Sequence, residues 1–307
     1  MSHSSAPPCP AACTPRGWAA TLPLPLLETV LIVTWSSGFV GARFSLDHAP
    51  AMLVVFWRCV LVSLVLLPFV IAQLRTASRA ALLRSAAVGL FSMGGYLAGV
   101  VKGIELGVPA GLAALLADLL PLGVALLATV VLRQRLPARA WLGLATGVAG
   151  VVLVTHDVVS VGKAPLWAYG LPLLGMLSLA VATLWQKTTK GPDALGLLPN
   201  LWMQCLVSAL AFAGLAGMEG SLMPVANAGF ALSVLWTAAF STLGGYGIYW
   251  LCLRRSSATR VATVLYLSPA VTMLWAWAMF GEPLSWTMAL GAATSALGVW
   301  MVAQSRA

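Results

Sequence analysis

The sequence predicts an all-α membrane protein of ten transmembrane helices, built as two inverted five-helix repeats with both termini cytoplasmic. Three observations predict it: an apolar composition, ten separate apolar stretches whose flanking charges alternate, and an internal repeat whose charges reverse.

Composition sets the class. Of 307 residues, 60% are hydrophobic and 8% are charged, and the mean hydropathy is +0.94. A soluble domain carries roughly 25% charged residues, so most of this exterior must face lipid. The net charge of +9 does not mark a nucleic-acid binder, which needs a continuous basic stripe on a soluble face. Lys and Arg stand here in short clusters between apolar runs, as topogenic charge does. Cys9, Cys13, Cys59, Cys205 and Cys252 form no paired framework, and the last three lie in apolar stretches where a thiol acts as a small hydrophobe. Residues 1–20 are rich in Ser, Pro and Ala and lack the basic start and continuous apolar run of a signal peptide. A disordered cytoplasmic tail is expected there.

Stretches long enough to span about 30 Å at 1.5 Å per residue run over 24–44, 51–73, 81–102, 109–132 and 138–155, then 166–186, 196–217, 229–253, 260–280 and 284–303. With the N-terminus inside, thirteen of the 17 Lys and Arg fall on the inner side. Arg43, Lys102 and Lys163 fall outside, Arg58 lies within a stretch, and Asp47, Glu105, Asp157, Glu219 and Glu282 lie in or beside outer loops. Cytoplasmic loops are enriched in Lys and Arg, and a wrong helix count would scramble the alternation. An inner-membrane location with both termini inside follows.

The halves repeat. Phe91-Ser92 and Gly94-Gly95-Tyr96 answer Phe240-Ser241 and Gly244-Gly245-Tyr246. Leu119, Leu120 and Pro121 answer Leu267, Ser268 and Pro269 at an offset of 148, which also pairs Leu142-Gly143 with Leu290-Gly291 and Gly150-Val151 with Gly298-Val299. Five spans per half is odd, so equivalent positions lie on opposite sides of the membrane. The charges agree: Arg133-Gln134-Arg135 aligns with Gly281-Glu282-Pro283. The expected division is 21–156 and 157–307, after the tail. Inverted repeats place a site near the midplane that two half-structures expose in turn.

At these residues the chain resembles the drug/metabolite transporter superfamily, specifically its EamA-type members, over about 26–304. Trp35-Ser36-Ser37-Gly38-Phe39-Val40-Gly41-Ala42 resembles the first-helix motif, and Ala49-Pro50 followed by Phe56-Trp57-Arg58 the second-helix pattern. Gly281-Glu282-Pro283-Leu284 with Gly291 to Gly298 resembles the ninth-to-tenth helix signature. The first half departs from the pattern by carrying Arg133-Gln134-Arg135 where the family often has Gly-Glu-Pro. The resemblance implies a ten-helix transporter fold and metabolite substrates such as amino acids, often exported.

Two ionisable groups lie deep. Arg58 and Asp118 sit at about 10–14 Å from the outer edge, where a lone charge costs about 2.5–3.5 kcal/mol on insertion scales. Arg58 either holds an anionic group such as a substrate carboxylate, for which its donor fork is suited, or forms a structural pair with Asp118. Asp118 is a counter-ion, a proton acceptor or that pair's other half. The repeat places Gln204 and Tyr266 opposite them, so a site charged in one half and neutral in the other fits a zwitterionic or amphipathic substrate. Trp35, Trp57, Trp185 and Tyr96 are candidate cavity walls, although packing explains such residues as well. Gly94, Gly95, Gly244 and Gly245 permit close approach or bending, and Pro121 and Pro269 each break a backbone bond and can serve as hinges. Glu28 and Glu282 read as surface or capping acids.

The residues present weigh against other classes. There is no phosphate-binding loop, so ATP is not consumed directly. His3, His48 and His156 stand apart from one another and no hydrolase motif occurs, so an enzyme is disfavoured and neither cofactor nor metal is expected. The expected partners are a small-molecule substrate and the lipid bilayer, with no nucleic acid and no obligatory protein partner. A non-transporting scaffold remains the third reading, although an inverted repeat gives it no advantage.

Overall fold

The computed structural model describes residues 22–131, 133, 136–161, 164–188, 195–256, 261 and 264–304. The tail with Cys9 and Cys13, and the loop charges Arg16, Arg135, Lys163, Lys190, Arg260 and Arg306, lie outside the described residues, as do the side chains of His156, Asp157, Lys187 and Arg254.

All regular structure described is helical. Helix α1 is Leu24–Ser45, α2 is Ala51–Thr76, and α3 is Arg79–Gly89 carried through π-type turns at Leu90–Gly95 into Tyr96–Glu105. Helix α4 has two parts, Ala110–Ala117 and Leu120–Val131; α5 is Ala138–Val161; α6 is Gly170–Thr188, entered through a 3₁₀ turn at Leu166–Tyr169. Helix α7 is Leu197–Glu219, and α8 runs from Ala228–Trp236 through π-type turns at Thr237–Tyr246 to Gly247–Arg255. Helices α9, Ser268–Phe280, and α10, Trp286–Gln304, follow. Among the described residues, seven stretches are long and apolar enough to cross a membrane, and Ala138–Val154 and Trp286–Val302 are shorter apolar helices.

Local chemistry sets the ends. Ser78 Oγ accepts the Ala81 N–H at 3.2 Å and Asn227 Oδ1 accepts that of Phe230 at 2.6 Å, satisfying donors that a helix start leaves free. Gly281, at φ +65°, takes the left-handed conformation that closes α9.

The main helix pairs follow one exchange rule. Replacing each helix by its counterpart five places on turns α3 against α6 into α8 against α1, and α4 against α6 into α9 against α1; all four contacts occur. Three pairs map onto themselves: α2 with α7, α4 with α9, and α5 with α10. Each is antiparallel. Trp202 Nε1 donates to the Ser63 carbonyl at 2.9 Å and Trp57 Nε1 to the Leu222 carbonyl at 3.0 Å, from opposite ends of α7 and the turn after it. Arg139 donates to Gln304 at 2.9 Å, and Ala110 N–H to Glu282 at 3.1 Å. A twofold operation that exchanges antiparallel partners has its axis perpendicular to them, which is the geometry of an inverted repeat.

The α5–α10 pair shows what sets the close approach. Gly143, Gly147 and Gly150 face Gly291, Ser295 and Gly298, and a Cβ on Gly150 would stand 2.6 Å from the Gly291 carbonyl oxygen. Lipid tails are as apolar as Leu, so helix association in a bilayer draws on such backbone-to-backbone packing. Gly150→Leu inserts bulk with nowhere to go and costs about 1–3 kcal/mol. The thermal midpoint of the purified protein falls by several degrees, and an unchanged midpoint contradicts this packing.

One end of the bundle is acidic and tied. Lys102 Nζ lies 2.6 Å from both Glu105 Oε2 and Glu219 Oε1, and Arg43 pairs with Asp47 at 3.0 Å. Glu105 accepts the Ala51 N–H and Glu282 that of Ala110, each at 3.1 Å, so these acids cap the starts of α2 and α4. Glu282 is thus the capping acid expected. Burial raises its carboxyl above the ordinary range, against the Ala110 and Gly111 N–H groups and the Arg43 charge. With the folded value above the unfolded one, folding takes up a proton between them, and stability falls as pH rises from about 4.3 through the raised value. Glu282→Gln keeps an acceptor and cannot ionise. The thermal midpoint of the wild type therefore falls relative to the variant across that window, whereas parallel curves would contradict the assignment.

Candidate functional site

The two halves meet around adjoining cavities at mid-depth. The larger, about 140 Å³, is lined by Trp35 of α1, Ser92 and Tyr96 of α3, Asp118 and Pro121 of α4, Gln204 of α7 and Tyr246 of α8, with Tyr266 ahead of α9. The smaller, about 30 Å³, holds Arg58 and Ser241 and shares Trp35, Tyr96 and Tyr246. Trp35, Tyr96 and Tyr246 thus line both cavities, the one with Asp118 and the one with Arg58.

The backbone is broken where it feeds this space. Helix α4 interrupts at Asp118 and Leu119, and α9 begins after the turn at Tyr266 and Leu267. Pro121 and Pro269 lie just inside the segments that follow. A proline there removes a hydrogen bond to the preceding turn and clashes with it, so Asp118 and Tyr266, one repeat apart, are delivered at equivalent breaks. In lipid such irregular backbone is tolerated where protein or a cavity surrounds it. Gly94, Gly95, Gly244 and Gly245 lie in the two π-type stretches, a geometry that recurs at functional sites. Gly95 abuts Ser178 of α6, whose Oγ donates to the Phe91 carbonyl at 2.8 Å, and Gly244 abuts Thr34 of α1.

The Trp35-Ser36-Ser37-Gly38 run has divided duties. Ser36 Oγ donates to the Ser268 carbonyl at 3.1 Å, and the Ser37 carbonyl accepts the Trp236 indole N–H at 3.1 Å. Gly38 makes room for Ser241. Trp35 is left facing inward, its ring 5.6 Å from those of both Tyr246 and Tyr249.

Several polar atoms here are unpaired among the described residues. Arg58 is 3% exposed, yet its Nε and Nη2 find no partner among the described residues, nor do Trp35 Nε1, Ser92 Oγ, Asp118 Oδ2, Tyr246 Oη and Tyr266 Oη. Buried polar groups are ordinarily bonded, and leaving one unbonded costs about 1–3 kcal/mol on protein scales. Their convergence on one space marks it as built for a ligand.

Most sequence candidates come together, with two exceptions. Arg58, Asp118, Gln204, Tyr266, Trp35 and Tyr96 line the cavities. Trp57 does not: its ring packs with Leu53, Val54, Phe230 and Val234, and its N–H serves the Leu222 carbonyl. Trp185 is 40% exposed and faces away, while Gln186 beside it lines the cavity. The structural pairing of Arg58 with Asp118 also fails, since the described ion pairs lie at the acidic end. Sequence reasoning passed over Ser92, Ser241, Tyr246, Tyr249 and Thr183. Tyr246 was findable, because it closes the run that matches Gly94-Gly95-Tyr96.

Arg58 is unpaired and buried, so its charge costs stability that a neutral side chain of similar length would not. Arg58→Met raises the thermal midpoint of the purified protein. A lowered midpoint would mean that the guanidinium holds the bundle together.

Comparison with known proteins agrees with this architecture. The profile of the EamA-like transporter family matches residues 26–156 and again 166–304. A chloroplastic WAT1-related protein of Arabidopsis thaliana is 26% identical over 199 residues, which is 60% of this chain and 46% of that protein, so the chain spans about half of its relative's length. A crystal structure at 19% identity superposes with a TM-score of 0.61 over 91% of this chain and 96% of the other, a likeness of fold alone.

Proposed function

Because the chain belongs to the EamA-like transporter family, within the drug/metabolite transporter superfamily, we propose that it exports small amphipathic metabolites, amino acids or their relatives, by alternating access. The observation that carries this reading is the convergence of unpaired polar atoms from both halves on the mid-depth cavities. A transporter of small solutes needs such a place, because the solute must exchange its hydration for protein contacts halfway across.

In this reading ten helices cross the bilayer, in repeats at 21–156 and 157–307, with both termini in the cytoplasm of an inner membrane. The charge alternation in the sequence supports that orientation, and so does the sorting of the described acids Asp47, Glu105, Glu219 and Glu282 to one end.

Arg58 binds the carboxylate of a zwitterionic substrate and Asp118 its ammonium group, with Trp35, Tyr96 and Tyr246 lining both cavities. Gln204 and Tyr266 supply neutral hydrogen bonds. Asp118 also accepts the coupling proton, since a carboxylate without a fixed cation partner can release a cationic group when protonated. The cavity lies toward the basic end, where exposed Gln186 forms part of its lining, while the acidic end is tied by Lys102, Glu105, Glu219 and Glu282. This supports a resting form open to the cytoplasm, as loading for export requires. The π-type stretches and proline breaks supply the bending on which opening of the other end depends.

Metabolite profiling of cells overproducing the protein tests the reading. One compound class accumulates in the medium with the intact chain and not with expression-matched Arg58→Ala or Asp118→Asn. Identical profiles for the intact chain and Arg58→Ala would overturn it.

A further inference from the structure

A second space opens beside the central cavity. It measures about 500 Å³, lies between α4, α9 and α10, and is almost wholly apolar. That volume falls within the range of pockets that take small molecules. Its origin lies in the packing: α10 is drawn onto α5 by the glycine contacts and touches α9 only sparingly. Ala289, Ala292, Ala293 and Ala296 face the gap. Their spacing puts them on one stripe of α10, and side chains this short cannot close it.

The cleft and the central cavity share two residues, Asp118 and Tyr266. At the junction, Asp118 Oδ2 and Tyr266 Oη are buried and unpartnered. An apolar trough that ends on a carboxylate with no ion partner among the described residues is complementary to a molecule with a cationic head and an apolar body. A fatty acid would place like charge against Asp118, and a neutral hydrocarbon would leave the carboxylate unsatisfied.

We propose that this cleft is the side-chain subsite of the transporter, taking the alkyl or aryl body of a primary ammonium whose head is bound by Asp118. The inference rests on the reading of the central cavity as the transport site, and it narrows the substrate class to amines and amino acids with an apolar side chain. Small polar amino acids leave the trough unfilled and bind weakly.

The test is a titration of the full chain in lipid nanodiscs with ethylamine, butylamine and hexylamine, scored against free aqueous amine with protein-free nanodiscs as blank. Affinity rises about fourfold per added methylene, the gain for burying one such group. 1-Hexanol, which lacks the charge, binds at least tenfold more weakly than hexylamine. Ala293→Phe fills the trough and flattens the series while leaving ethylamine binding in place, and Asp118→Asn weakens every amine. Where Ala293→Phe yields no folded protein, Ala289→Leu narrows the same face and gives the same flattening. A flat series in the wild type, equal binding of hexanol, or a series unmoved by a folded plug variant would each overturn the proposal. Binding seen only after lipid is stripped in detergent would assign the cleft to lipid instead and also overturn it. None of these readouts depends on transport or on Arg58, so export can fail while the subsite stands, and the reverse.

Discussion

The cost of a polar group with no partner in lipid governs this structure. Water is absent from the bilayer core, so each backbone and side-chain polar atom must be satisfied within the protein or pay several kcal/mol. Most of the chain meets the condition in the cheapest way. Its helices bond internally, and Thr and Ser side chains return their hydroxyls to carbonyls one turn back, as Thr34, Thr129 and Thr183 do. Among the described residues, more than half of the exceptions gather in one place. Arg58, Asp118, Trp35, Ser92, Tyr246 and Tyr266 leave atoms unpaired around two adjoining cavities, and both helix breaks fall there as well. A bundle that carries most of these penalties at its centre has concentrated its spare bonding capacity where a solute would spend it.

Symmetry and chemistry part company at that centre. The helix contacts follow the exchange of halves closely, and the glycine faces of α5 and α10 are repeat equivalents. The side chains in the cavities do not repeat. Arg58 answers Gln204, and Asp118 answers Tyr266. A frame with equivalent halves offers two conformations of similar energy, which alternating access needs, while unlike side chains give a bound zwitterion one preferred orientation. The proposed mechanism depends on both.

Much of the frame was legible in the sequence because its causes are local. Apolar runs gave helix positions within a few residues, and Pro121 and Pro269 marked the breaks because a proline cannot continue the bonding of the turn before it. The offset of 148 aligned the glycines of α5 with those of α10, and the structure brings these equivalent faces into contact. The site was partly legible for the same reason that it is costly, since Arg58 and Asp118 stand out in apolar runs. What the sequence did not disclose depends on direction. Trp57 and Trp185 share helices with cavity residues and point elsewhere, and the π-type stretches shift the register of α3 and α8 in a way that a 3.6-residue periodicity does not register. Depth alone paired Arg58 with Asp118. In the structure they line adjoining cavities that share Trp35, Tyr96 and Tyr246, an arrangement no spacing rule displays.

The central claim is that the ends open in alternation around a fixed site, and the tied acidic end offers the most direct test. Lys102 of α3 and Glu219 of α7 meet there at 2.6 Å across the two halves. With the native cysteines replaced, cysteines at 102 and 219 can be bridged by a short bis-maleimide and transport of the solute measured in proteoliposomes. The account predicts that the bridge abolishes transport, that either single cysteine treated alike transports normally, and that solute still binds to the bridged protein. Undiminished transport through the bridged protein would contradict it.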